Sequence, residues 1–92
     1  MYKLDITYDA LNFTKGIPPK QFKQIFTAIM DLLKNPRPHD SSKLKGYPDL
    51  YRKDVGEYRI IFYKFDDETV YVLLIGKRND DDVYKRLTRK LA

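Results

Sequence analysis

The chain holds no cysteine and no tryptophan, one histidine, four glycines and five prolines. Without cysteine there is no disulfide framework, no iron–sulfur cluster and no thiolate zinc site, and His39 alone cannot build a histidine-rich metal centre. A reducing, cytoplasmic setting is therefore expected, with no cofactor and no metal. No apolar run approaches the ~18 residues that a membrane span needs, and Met1-Tyr2-Lys3-Leu4-Asp5 lacks the apolar core of a secretory leader, so no membrane partner is expected. Scarce glycine and proline beside 42% hydrophobic and 34% charged residues exclude low complexity and disorder. At 92 residues the sequence supports one domain, 1–92, with a modest core and a shallow cleft at most.

What is abundant is positive charge. Eighteen Lys and Arg face thirteen Asp and Glu, a net charge of +5. Six of the acids sit in Asp66-Asp67-Glu68 and Asp80-Asp81-Asp82, so the rest of the chain is far more basic than the total suggests. Such a surface attracts polyanions through its field and through counterion release, which points to nucleic acid or an acidic protein partner. The same charge also serves simply to keep a small core in solution.

Tyr2, Leu4, Ile6 and Tyr8 alternate with polar residues and predict a half-buried strand. Asp9 is a candidate N-cap for a short helix over 10–15, ended by Gly16 and Pro18-Pro19. Phe22, Ile25, Phe26, Ile29, Leu32 and Leu33 recur at spacings of three and four and predict a second, amphipathic helix that Asn35-Pro36 stops. After a loop over 37–48, three strands follow at 50–55, 58–65 and 70–77, with Gly56-Glu57 and Asp67-Glu68 as hairpin turns. Asp80 to Asp82 then open a helix carrying Val83, Tyr84, Leu87, Thr88 and Leu91, with Arg89-Lys90 at its end. The expected fold is α+β in the order βααβββα: an antiparallel sheet, two N-terminal helices packed on one face, and a short C-terminal helix near its basic end.

Strand register turns these segments into a candidate site. Pairing Val55 with Tyr58 sets Asp54 opposite Arg59 and puts Arg52, Asp54 and Arg59 on one face. Pairing Phe65 with Val70 sets Gly76 opposite Arg59, leaving room there for a ligand backbone, and gives Arg78 the facing of Val72 and Leu74, so that three arginines gather at one end of that face. Tyr51, Val55, Tyr58, Ile60, Phe62, Tyr71, Leu73 and Ile75 fall on the other face, which should receive the helices. The plain alternative is a solvated Asp54–Arg59 ion pair worth about 0 to 1 kcal/mol.

The series Asn35-Pro36, Lys43-Leu44-Lys45-Gly46, Leu50-Tyr51-Arg52, Val55-Gly56-Glu57-Tyr58-Arg59-Ile60-Ile61-Phe62, Gly76-Lys77-Arg78 and Val83-Tyr84 resembles the RelE/ParE superfamily of toxin–antitoxin toxins, most closely its RelE branch. The resemblance runs from the second helix to the last. It implies a RelE-like fold and a ribosome-dependent endoribonuclease that cuts mRNA in the decoding A site, with the ribosome, its mRNA and rRNA, and a cognate antitoxin as partners. It further implies metal-independent attack by the 2′-hydroxyl, which needs a base, cations on the crowded phosphate and an acid for the leaving oxygen.

Carried onto this sequence, the resemblance makes Arg52 a stabiliser of the transition state and Arg59 a bidentate grip on the scissile phosphate. Arg78 becomes the partner of the leaving group, and Tyr84 a residue that stacks on a base or orients the nucleophile. Lys43, Lys45, Lys53 and Lys77 are the accompanying RNA-binding candidates, and Tyr47 is an aromatic free to stack. Asp54 is a departure, standing where some relatives carry a basic residue: either it is the base or it neutralises Arg59. Glu57 is the other carboxylate nearby. Two rival functions share much of the pattern, a ParE-like poison of DNA gyrase and a non-catalytic basic module that binds RNA or antitoxin.

Overall fold

A computed structural model of the chain describes residues 1–78 and 81–91, the side chains of Asp81, Asp82 and Leu91 apart. Its elements are β1 (Lys3–Ile6), α1 (Tyr8–Lys15), α2 (Pro19–Lys34), β2 (Ser41–Lys43), β3 (Tyr51–Val55), β4 (Arg59–Phe65), β5 (Thr69–Lys77) and α3 (Asp81–Leu91). The expected Asp80 at the start of α3 lies outside the described residues, as do the side chains of Asp81, Asp82 and Leu91. The class is α+β, and the five strands form one sheet in the order β1-β5-β4-β3-β2.

The sheet is mixed rather than antiparallel, because β1 runs parallel to β5. The helical pair α1–α2 provides the long connection that lets β1 reach the last strand instead of the next one. Thr7, directly after β1, reinforces that seam by donating its hydroxyl to the Leu73 carbonyl at 2.6 Å. It also caps α1, accepting from the Ala10 amide at 3.2 Å. Asp9, the expected cap, is instead ion-paired with Lys90 at 3.0 Å. The strand β2, absent from the sequence reading, is three polar residues that become a strand only by pairing with β3.

Both faces of the sheet are covered. On one, Ala10, Ile25, Ile29, Leu32 and Leu33 from α1 and α2 meet Ile61, Tyr63, Val70, Val72 and Ile75. On the other, Val83 and Leu87 of α3 pack with Leu44, Leu50, Ile60, Phe62 and Leu74. The expectation of a single apolar face failed because Ile60-Ile61-Phe62-Tyr63 is a continuous apolar run, the signature of a strand buried on both sides. All four residues are fully buried.

Register explains the remaining differences. The β3–β4 turn takes three residues, with Val55 opposite Arg59 and Asp54 opposite Ile60. Gly56 enters the turn at φ 66°, a left-handed conformation that glycine adopts without strain. A shift of one residue exchanges the faces of β4, so Arg59 moves to the α1–α2 side while Ile60 and Phe62 move to the α3 side. Tyr58, expected on the covered face, is an exposed turn residue. Phe65 pairs with Val70 as expected, but an irregularity at Phe62/Tyr63 shifts the remainder, so Gly76 opposes Ile60.

Gly76 thus faces α3. A Cβ there would stand 2.5 Å from Val83 Cγ2 and 2.8 Å from Val83 Cβ. The missing side chain admits a helix, not a ligand. Gly76→Ala should cost ~1–3 kcal/mol of unfolding free energy through overpacking. Chemical denaturation of Gly76→Ala, Val83→Ala and the double variant checks this, since relief of the Cγ2 clash should make the double variant lose less than the sum of the two single changes; an undiminished stability in Gly76→Ala would contradict the contact.

At the β4–β5 turn, Asp66 accepts from the amides of Glu68 and Thr69, both at 2.8 Å, and from the Tyr71 hydroxyl at 3.0 Å. These bonds, the two amides foremost, hold the Asp66 carboxyl below the usual carboxylate range, and the carboxylate in turn raises Tyr71. Because the folded value is the depressed one, its stabilising effect is present above the ordinary value of 3.8 and is lost as pH falls through the folded value. Asp66→Ala should therefore lower Tm at pH 7, with the difference from the parent narrowing in melts run progressively below pH 4.

Candidate active site

The site grows from alternation in β3. Arg52 and Asp54 point to the α3 side, while Tyr51, Lys53 and Val55 point to the other. Arg52 Nη1 donates to the Tyr84 hydroxyl at 2.9 Å. Tyr84, four residues before Thr88 on α3, sets its ring edge-on to Phe62, with centroids 5.3 Å apart at 74°. Arg78 follows β5 directly and is fixed by its amide, which donates to the Tyr58 carbonyl at 2.7 Å. Its Nη2 stands 3.3 Å from Asp54 Oδ2. The result is a row of groups, Tyr84–Arg52 beside Asp54–Arg78, on one end of one face.

The row is held loosely enough to react. The Arg78 and Asp54 side chains retain 46% and 29% exposure, so a phosphate can take the guanidinium from the carboxylate at small cost. Asp54 Oδ1 is buried and finds no hydrogen-bond partner among the described residues. Beside the row lies a groove of ≈ 360 Å³ lined by Ser42, Lys43, Leu44, Lys45, Tyr47, Arg52 and Tyr84. Among the described residues no cluster of three or more His, Asp or Glu side chains could hold a metal ion.

Other candidates lie elsewhere. Arg59 does not share the face of Arg52 and Asp54: its Cζ sits 5.9 Å from the Phe13 ring centre, and its Nη1 donates to the Tyr58 carbonyl at 3.2 Å. The partner of Asp54 is thus Arg78 instead of Arg59. Lys53 is turned to the α1–α2 side and ion-paired with Asp40, whose carboxyl that hydrogen bond holds low. Lys77 opposes Arg59 and shares its face. Lys43 and Lys45 do border the site. Tyr51 packs its ring at a tilt against Tyr63 and Phe65, with centroids 5.8 and 5.2 Å away, a position at the edge of the core as expected. Ser42 and Leu44 as groove walls escaped the sequence reading; the signal was Leu44, a lone apolar residue inside a polar loop.

Residues 4–82 match the family model described as the ParE toxin of type II toxin–antitoxin systems, parDE. The chain belongs to that family, within the RelE/ParE superfamily, and is a toxin of the RelE type. Across 93 aligned residues it is 27% identical to the mRNA interferase toxin RelE of Escherichia coli K12, covering 98% of this chain and 97% of that protein. Its fold superposes on a free E. coli RelE variant with two arginines changed to alanine at a TM-score of 0.80 and 24% identity, covering 99% and 98% of the two chains. The toxin in the intact E. coli RelBE toxin–antitoxin complex superposes at a TM-score of 0.74 and 26% identity, over 87% of this chain and all of that one.

Since the Asp54–Arg78 pair is partly exposed, Asp54→Asn should change unfolding free energy by only ~0–1 kcal/mol. Equilibrium denaturation of the variant checks this; a larger loss would make the pair a structural element rather than a site.

Proposed function

We propose that the chain is a ribosome-dependent endoribonuclease that cuts mRNA in the A site without a metal, acts in the cytoplasm and is silenced by a cognate antitoxin. The observation that carries this reading is the row Tyr84–Arg52 and Asp54–Arg78. It gathers permanent positive charge, one carboxylate in a partly exposed ion pair and one aromatic ring on the same face. The whole-length likeness to an mRNA interferase supports it.

In this mechanism Arg52 and Arg78 hold the scissile phosphate and stabilise the charge that builds on its oxygens. Asp54, released from Arg78 by the phosphate, accepts the proton of the 2′-hydroxyl through Oδ2, the oxygen that Arg78 had held. The 2′-oxygen bonds to phosphorus as the bond to the 5′-oxygen breaks, giving a 2′,3′-cyclic phosphate and a 5′-hydroxyl end. Arg78 keeps its positive charge rather than giving up a proton; it stabilises the departing oxygen until water protonates it. Arg59 stands at the same end of the sheet and contributes only by swinging off Phe13, so its loss should be shallower than that of Arg78.

The test is single-turnover cleavage of ribosome-bound mRNA. Arg78→Ala and Asp54→Asn should each slow it by ~100-fold or more, the range of a lost charge stabiliser or base. Arg59→Ala should cost less, and chelator should leave the rate unchanged. A fully active Asp54→Asn would reject the carboxylate base, and efficient site-specific cutting of naked RNA would reject dependence on the ribosome. The family model bears the ParE name, which favours gyrase as the second reading. Pulse labelling after induction separates the two: early loss of methionine incorporation marks the nuclease, early loss of thymidine incorporation the gyrase poison.

A further inference from the structure

The groove beside the catalytic row is not explained by the chemistry above. Its lining combines two aromatic rings, Tyr47 and Tyr84, with Leu44, Ser42 and three cations, Lys43, Lys45 and Arg52, and includes no carboxylate. At ≈ 360 Å³ it falls at the small end of ligand pockets, which run roughly 300 to 1,000 Å³. Flat apolar walls with a cationic rim suit a ligand that is itself flat and apolar in one part and anionic in another. A nucleotide is that ligand.

The walls are prepared in advance. The loop carrying Tyr47 is closed on itself: the Leu44 amide donates to the Leu50 carbonyl at 2.9 Å, the Tyr47 amide to the Leu44 carbonyl at 3.2 Å, and the Leu50 amide to the Tyr47 carbonyl at 3.1 Å. Gly46 supplies the turn at φ 85°. Across the groove, Thr88 donates its hydroxyl to the Tyr84 carbonyl at 3.0 Å, and the Tyr47 hydroxyl lies 3.4 Å from the same Thr88 oxygen. The Tyr47 ring thus leans on the turn of α3 that carries Tyr84, whose own ring is held by Arg52 and Phe62, and both lose little freedom when a base arrives.

We propose that this groove is a nucleobase subsite and that Tyr47 is its stacking residue. The proposal rests on the endoribonuclease reading and deepens it. Arg52 belongs both to the groove and to the row, so a base seated against Tyr47 lies next to the phosphate that is cut. The groove then selects the nucleotide beside the scissile bond, and base preference resides in a loop that supplies no group to the reaction.

Binding of 2′-O-methyl trinucleotides, which cannot be cleaved because the attacking oxygen is blocked, tests this on the whole toxin by tyrosine fluorescence and by shifts of the tyrosine ring resonances. Tyr47→Ala should weaken binding by ~10-fold, as loss of one base–aromatic stack does. Tyr47→Phe should stay within ~2-fold of the parent, and Tyr8→Ala, on the exposed face of α1, should match it. Circular dichroism establishes that each variant is folded, and Tyr47→Phe remains informative if Tyr47→Ala is not. On ribosomes, Tyr47→Ala should alter base preference at one codon position.

Unchanged binding in Tyr47→Ala beside weakened binding in Arg52→Ala would place the RNA elsewhere and overturn the proposal. So would equal losses in Tyr47→Ala and Tyr47→Phe, which would assign the contact to the hydroxyl, or failure of the parent to bind any trinucleotide while an acidic peptide occupies the groove. Tyr47-dependent binding by a toxin that cuts nothing on the ribosome would leave the subsite standing and remove the endoribonuclease reading instead.

Discussion

The burial of β4 on both faces governs this molecule. Ile60 and Phe62 lie under α3, and Ile61 and Tyr63 lie under α1 and α2, so one strand of seven residues joins two cores that otherwise have little in common. Side chains that alternate across a central strand transmit register from one face to the other. The extra turn residue at Gly56–Tyr58 therefore decides together which arginine faces α3 and which hydrophobic residues lie beneath it. Chemistry and packing are fixed by the same pairing, and neither can shift alone.

That coupling also explains how much was legible in the sequence. The amphipathic α2 was plain because six apolar residues at helical spacing admit one placement. The strands β3 to β5 were plain because their composition is β-branched and aromatic. Register was not, since a two-residue and a three-residue turn over Gly56-Glu57-Tyr58 differ by one pairing, and only the packing of Ile60 and Phe62 against α3 selects between them. The parallel seat of β1 was equally hidden, because the partner of a parallel strand is set by where the intervening helices pack. Among the site residues, Arg52, Asp54, Arg78 and Tyr84 do come together, Arg59 was assigned to a face it does not occupy, the RNA-binding candidates Lys53 and Lys77 lie on the α1–α2 side, and the Asp54–Arg78 pair was hidden because the expected register set Arg59 opposite Asp54.

The site itself is built from side chains that each have a second attachment. Arg52 bonds Tyr84, Tyr84 leans on Phe62, and Arg78 is anchored through its backbone before its guanidinium turns to Asp54. Preorganisation of this kind matters most for electrostatic catalysis, where charges set in place before the reaction need not reorient during it. In this small fold those groups stand at the edges of the two hydrophobic layers.

The parallel seam between β1 and β5 has a further consequence for how the molecule comes into being. Thr7 and Leu73, bonded across that seam, are separated by 66 positions in the chain. A strand whose partner is so distant stays unpaired during synthesis until most of the polypeptide has emerged, and closure of so long a loop is slow. Arg78 and Tyr84 lie beyond that partner strand. The groups that would make the protein harmful are thus the last to be assembled, and a nascent chain displays an open edge and an apolar α2 well before it possesses a complete site.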